Sequence, residues 1–101
     1  MVVTSYKDWN NLNQLAIPFI KSTDEKGVIY KVKTVGIFNY DSQFMPTITI
    51  IHNGKDELLK LPLELSQWAL NCVAMAHSGM ETFPSDVEFG VLDDRYYAEI
   101  K

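Results

Sequence analysis

The sequence predicts a mainly β domain with one or two helices: a five-stranded Greek-key barrel in the order β-β-β-α-β-β, preceded by an N-terminal helical arm. Three observations carry this reading. Residues 28 to 101 hold three strand-like runs, one amphipathic helix and two further strand-like runs. The first run, VIYKVKTVGIFNY, is long enough to pair at both ends and changes its apolar phase midway. Two tight turns, at Asn53 and Gly54 and at Asp93 and Asp94, mark hairpins on either side of the helix.

At 101 residues the chain holds one domain. Residues 1–27 read as the helical arm and a linker, and 28–101 as the barrel. In the arm, residues 5 to 19 read as a short helix. Ser5 and Asp8 stand in a capping relation, Trp9, Leu12, Ala16 and Phe19 recur three to four apart, and Pro18 ends the pattern. Residues 22 to 27 are polar and turn-rich, as a linker should be.

In the first strand, Val28, Tyr30 and Val32 share one face, with Lys31 and Lys33 opposite. Beyond Thr34, Val35 and Ile37 take the other parity. Such a swap keeps the core intact only if an extra residue is inserted, and Gly36 is the expected bulge. Next, TITIIHNGKDELLKL reads as strands over 46–52 and 55–61 around a type I′ turn, with Pro46 at a strand start. Residues 64 to 78 place Leu65, Trp68, Ala69, Cys72 and Ala76 on one helical stripe, and Gly79 is a ready C-terminal cap. Finally DVEFGVL sets Val87, Phe89 and Val91 on one face, and RYYAEIK sets Tyr96, Ala98 and Ile100 on its partner. The helix between the third and fourth strands argues against an Sm-like barrel, whose five strands run consecutively. Period-2 patterning does not separate a closed barrel from an open sheet crossed by one helix.

Hydrophobic residues at 47% and charged residues at 22% fit a globular core. No apolar run approaches the roughly 20 residues of a membrane span, and no basic segment precedes an apolar block, so a soluble, cytoplasmic protein without membrane attachment is expected. The single Cys72 cannot form an internal disulfide and reads as a small buried filler in a reducing compartment. The net charge of −4 is uneven: residues 1–40 carry five lysines against three acids, and 41–101 carry four basic residues against ten acids. A mildly basic first half thus joins an acidic body.

The outward side of the first strand carries Lys31 and Lys33, then Phe38 and Tyr40, and the loop beyond adds Phe44. The last strand turns Arg95, Tyr97 and Lys101 to the same side, along with Glu88 and Glu99. Aromatic rings among cations suit single-stranded nucleic acid, because a stacked base contributes roughly 1–3 kcal/mol while cations follow the phosphates. Phe38, Tyr40, Phe44 and Tyr97 are the candidate stacking platforms. Lys31, Lys33, Lys60 and Arg95 are the candidate phosphate contacts.

The strand order, Gly36 within a bent first strand and the closing RYYAEIK run together resemble the small phage-encoded OB-fold single-stranded DNA-binding proteins, over residues 28–101. The resemblance implies an OB-like barrel that binds displaced single strands during replication or recombination. It implies no enzymatic activity and no cofactor. That family commonly gathers its acids in a partner-recruiting tail, whereas here they are spread through the C-terminal half.

Catalytic and metal readings find little footing. His52 sits at a hairpin mouth and His77 near a helix C-terminus, where a protonated imidazole suits the helix dipole. Cys72 and His77 are five apart and diverge on a helix, so with His52 they do not match zinc-ligand spacings. Asp93 and Asp94 are turn formers, and neither a glycine-rich phosphate loop nor a nucleophile elbow is present. The competing class is a small acidic protein-interaction module, such as a viral inhibitor or adaptor of a host protein, exposing a patch around Trp9, Met45 and residues 80–86. A third class is a subunit that oligomerises through edge strands or the arm. A DNA binder should instead present Lys31, Lys33, Phe38 and Tyr97 on one exposed face.

Overall fold

A computed structural model describes residues 12–22, 25–40 and 43–101. Their strands are β1 (Phe19–Ile20), β2 (Val28–Tyr40), β3 (Gln43–His52), β4 (Lys55–Lys60), β5 (Ser85–Leu92) and β6 (Arg95–Ile100). A 3-10 turn (Leu63–Leu65) leads into the helix α1 (Ser66–His77) between β4 and β5. The β-β-β-α-β-β succession is therefore observed from β2 onward. All six strands form one sheet in the order β1-β5-β2-β3-β4, with β6 on the other side of β5. Among the described residues no helix is long and apolar enough to cross a membrane.

The geometry starts from β2, which has two partners. Its first part pairs with β5, from Val28 opposite Phe89 to Val32 opposite Ser85. Its remainder pairs with β3, from Val32 opposite Ile50 to Tyr40 opposite Gln43. The register slips between Val32 and Thr34, so the bulge lies at the handover between partners and not at Gly36. The phase change has the predicted effect, with Val32 fully buried before it and Val35 and Ile37 packed against the core after it. Gly36 has a different reason to be small: a Cβ there would lie 3.1 Å from Thr47 Oγ1 on the next strand.

Both hairpin turns take left-handed backbone angles, Asn53 and Gly54 at φ 53° and 76° and Asp93 and Asp94 at 52° and 61°. Asn, Gly and Asp tolerate these angles where β-branched residues do not. The helix ends in a Schellman arrangement at Gly79 (φ 85°), whose N–H donates to Ala76 O while Met80 N–H donates to Met75 O. Leu65, Ala69 and Cys72 form its buried stripe. At the centre of the core, fully buried Phe89 meets Trp68 edge-on at 5.6 Å and Tyr30 at 6.1 Å between ring centroids. Tyr30 keeps its hydroxyl at the surface, donating to Ala16 O at 2.7 Å.

Two expectations are corrected. Residues 12 to 19 of the predicted helix are not helical, with a β-bridge from Gln14 to Lys60 and β1 starting at Phe19; the earlier part of that helix, with Ser5, Asp8 and Trp9, lies outside the described residues. Leu15 is buried and Ile17 packs on the core, and the inward parity changes across Pro18 so that Ile20 is the next buried side chain, whereas Phe19 of the supposed apolar stripe is 77% exposed. Backbone hydrogen bonds fix this path. Leu15 N–H donates to Lys60 O, Lys60 N–H to Asn13 O, and Val91 N–H to Pro18 O, each at 2.9–3.0 Å. The arm thus ties the end of β4 to the end of β5, with β1 running parallel to β5. The second correction is that the sheet is not closed, since β4 and β6 are not paired.

The arm is therefore structural. Leu15→Ala should lower unfolding stability by roughly 2–5 kcal/mol, the range for a buried Leu truncated in a core. Phe19→Ala, only four residues away, should change it by about 0.5 kcal/mol or less. Urea denaturation followed by tryptophan fluorescence measures both.

Candidate nucleic-acid interface

The outward side of the sheet is set by the strand registers. Before the bulge, Ile29 and Lys31 face outward on β2, opposite Glu88 and Asp86 on β5. After it the outward row continues through Thr34, Gly36 and Phe38. Lys31 and Lys33 are exposed, and Phe38 is half-buried. On β6, Arg95 and Tyr97 lie outward, opposite Leu92 and Gly90.

The eight predicted residues do not form one cluster. Lys31, Lys33 and Phe38 share the outward row of β2. Arg95 lies across the sheet, six residues along β5 from the Lys31 level, which at strand rise is about 20 Å. Phe44 belongs to β3 and not to a loop; it has the parity of Pro46 and Ile48, opposite to Phe38, and is 56% exposed because it lies past the end of the core. Tyr40 pairs through its backbone with Gln43, and its side chain lies outside the described residues. Lys60 is half-buried on β4, with its backbone held by the arm.

Two candidates are already engaged. Lys33 Nζ pairs with Asp56 Oδ2 at 2.5 Å, both side chains about half exposed. Such a solvated pair contributes roughly 0–1 kcal/mol, so a phosphate could displace the aspartate at small cost. Tyr97 is held much more firmly. Its ring lies over Gly90, where a Cβ would sit 2.5 Å from Tyr97 Cε2, and its hydroxyl donates to Glu88 Oε2 at 2.6 Å. It serves as a structural cover for a glycine, and so leaves the set of stacking platforms.

Glu88 is the residue that sequence reasoning missed. It lies on the outward side yet is only 8% exposed. Its carboxylate accepts from Tyr97 Oη, from the Gly27 N–H at 3.1 Å and from Lys101 Nζ at 3.2 Å, and Lys101 also reaches Glu99 at 3.1 Å. The Tyr97 hydroxyl, then the Gly27 N–H and Lys101, hold the Glu88 carboxyl down to about 2. In return Glu88 raises the Tyr97 phenol, and Glu99 followed by Glu88 raises the Lys101 ammonium. A signal was present in the sequence: the Asp93 and Asp94 turn places Tyr97 opposite Gly90, a pairing in which an aromatic ring lies over a glycine.

Met45, proposed as an exposed interaction residue, is buried, as is Thr47 beside it on β3, so the outward side of the sheet is not uniformly open. An open groove of about 450 Å³ lies between the β2 bulge and the C-terminal end of α1, lined by Lys33, Val35, Cys72, Ala76 and Met80. Burial pushes the Cys72 thiol up to about 11, so it stays protonated at neutral pH and unsuited to nucleophilic chemistry. Comparison with protein-family models, curated proteins and solved structures finds no match to this chain.

The Glu88 cluster has a pH signature. A carboxyl depressed from 4.5 to about 2 contributes stability that is fully present above pH 4.5 and is lost as the pH falls toward 2. Glu88→Gln should lower the urea midpoint at neutral pH, and its deficit relative to the unsubstituted protein should shrink between about pH 4.5 and pH 2. A deficit independent of pH would show that the Glu88 charge is not what stabilises the cluster.

Proposed function

We propose that this chain is a non-enzymatic binding domain on an OB-type Greek-key scaffold with an open seam, and that it binds single-stranded DNA along β2. The observation that carries this reading is the outward row of β2, which presents Lys31 and Lys33 before the bulge and Phe38 after it, on one continuous strand. A single strand laid along this row would meet cations at one end and an aromatic ring at the other. Phe38 would stack a base, and Lys31 and Lys33 would neutralise phosphates, with Lys60 and Arg95 as outlying cations and Phe44 outside the strip on the opposite side of the sheet. The resemblance to phage-encoded single-strand binders leads to the same ligand.

A second reading, an acidic protein-interaction module, is favoured by the other half of the outward side. There the exposed acids Asp86 and Glu99 lie near the exposed Ile29, which suits a basic protein partner with an apolar anchor.

Fluorescence anisotropy of labelled oligo-dT separates the two. Micromolar binding that weakens steeply with salt supports the DNA reading. In that case Lys31→Glu with Lys33→Glu should weaken binding and reduce the log–log salt slope by about 1.4, at roughly 0.7 per phosphate contact. Phe38→Ala should cost roughly 1–3 kcal/mol of binding free energy. No binding at low salt, or affinity unchanged in the double variant, overturns the DNA reading in favour of the protein partner.

A further inference from the structure

We propose that β6 is a self-pairing edge, through which two copies of this chain join antiparallel about a two-fold axis at Tyr97. Among the described residues β6 has a strand neighbour on one side only. The 3-10 turn Leu63–Leu65 comes near β6, yet no backbone hydrogen bond joins them among the described residues. The direction of each peptide group follows from the hairpin. Leu92 opposite Arg95 closes the two-residue turn as a hydrogen-bonded pair, so Arg95, Tyr97 and Glu99 direct their N–H and C=O groups at β5. Lys101 keeps the same parity, its N–H donating to Asp86 O at 2.8 Å. Tyr96, Ala98 and Ile100 therefore point theirs at the free edge.

An edge strand with unsatisfied peptide groups is a template for another strand, and proteins usually block it with like charges or proline. This edge carries no proline, and its charges are self-complementary. In an antiparallel pair centred on Tyr97, Arg95 of one copy faces Glu99 of the other, twice by symmetry. The same register sets Tyr96 opposite Ala98, whose outward peptide groups then form the hydrogen-bonded rungs. Tyr97 opposite Tyr97 becomes the non-bonded rung, as its own peptide direction requires. Moving the axis to Ala98 would oppose Arg95 with Lys101, and moving it to Tyr96 would oppose Arg95 with Tyr97, so charge selects one register. Arg95 supports this: it is exposed and has no ion-pair partner among the described residues, although five carboxylates, Asp86, Glu88, Asp93, Asp94 and Glu99, lie on the same hairpin. The partner that this edge fits is a second copy of the chain.

Sedimentation velocity on the whole chain over a concentration range tests this, with far-UV circular dichroism to verify folding. The expected result is a reversible dimer. Arg95→Glu and Glu99→Arg should each weaken dimerisation by roughly tenfold, because each turns two facing pairs from attractive to repulsive. The combined Arg95→Glu, Glu99→Arg chain should recover the original affinity. Ala98→Pro, which removes an N–H aimed at the free edge and none aimed at β5, should give a folded monomer. A chain that stays monomeric at high concentration, or a dimer that ignores both the charge swap and the proline, overturns the proposal.

Discussion

The rest of the structure depends on one constraint: β2 is shared between two partners that lie on different parts of the sheet. Its apolar residues change parity on the way, Val28, Tyr30 and Val32 followed by Val35 and Ile37, so a regular strand that buried the first set would turn the second away from the core. The bulge between Val32 and Thr34 reconciles the two demands by changing parity at the handover. From this follow a single core shared by Val32, Val35 and Ile37 and the seat of α1 against β2 and β3. The same bulge places Lys31, Lys33 and Phe38 on a common outward row, since without the parity change Phe38 would not follow the lysines. The feature that builds the core also composes the proposed binding strip.

The outward side is divided electrostatically by Glu88. A carboxylate with three donors around it, Tyr97, Gly27 and Lys101, is almost fully satisfied and has little attraction left for a ligand cation. It does withdraw Tyr97 and Lys101 from any role toward a phosphate strand. That leaves the cations of β2 at one side of the sheet and Arg95 at the other, with the acids of β5 and β6 between them. A nucleic acid lying along β2 avoids these acids, while one crossing the sheet toward Arg95 would pass directly over them. The geometry thus favours a ligand parallel to β2 within the DNA reading.

Much of the fold was legible because it was written in local chemistry. Asn53 with Gly54, Asp93 with Asp94, and Gly79 after the helical stripe each solve a backbone problem that few other residues can, and each turn or cap formed where its residues stand. The arm was misread for the opposite reason. Leu12, Ala16 and Phe19 match a helical spacing, but the outcome was decided by distant partners: the peptide groups of Lys60 and Val91 capture the chain in a non-helical form, and Leu15 enters the core. The misplaced bulge has the same cause, since a period-2 pattern reveals that a parity change occurs but not which residue absorbs it. Among the site residues, Lys31 and Lys33 were legible as exposed because charge keeps them in water. The hairpin register sets Tyr97 opposite Gly90, but the capture of its hydroxyl by Glu88 was not legible, because the carboxylate is held in place by the N–H of Gly27, 61 residues away in the chain.

The arm and the open seam are two sides of one arrangement. In a closed barrel of this strand order, β4 would meet β6 and no edge would remain. Here the arm supplies the missing connection by another route, bonding to Lys60 at the end of β4 and to Val91 near the end of β5. Those bonds satisfy the termini of both strands and place Leu15 where a closing strand would contribute core, which removes most of the energetic incentive for β4 and β6 to approach. The consequence falls on β6. Half of its peptide groups are turned away from β5 with no strand partner among the described residues, a condition that costs little in water but becomes favourable to relieve when a complementary strand is available. Stabilising the monomer by the arm and leaving an edge for association are, in this fold, the same structural choice.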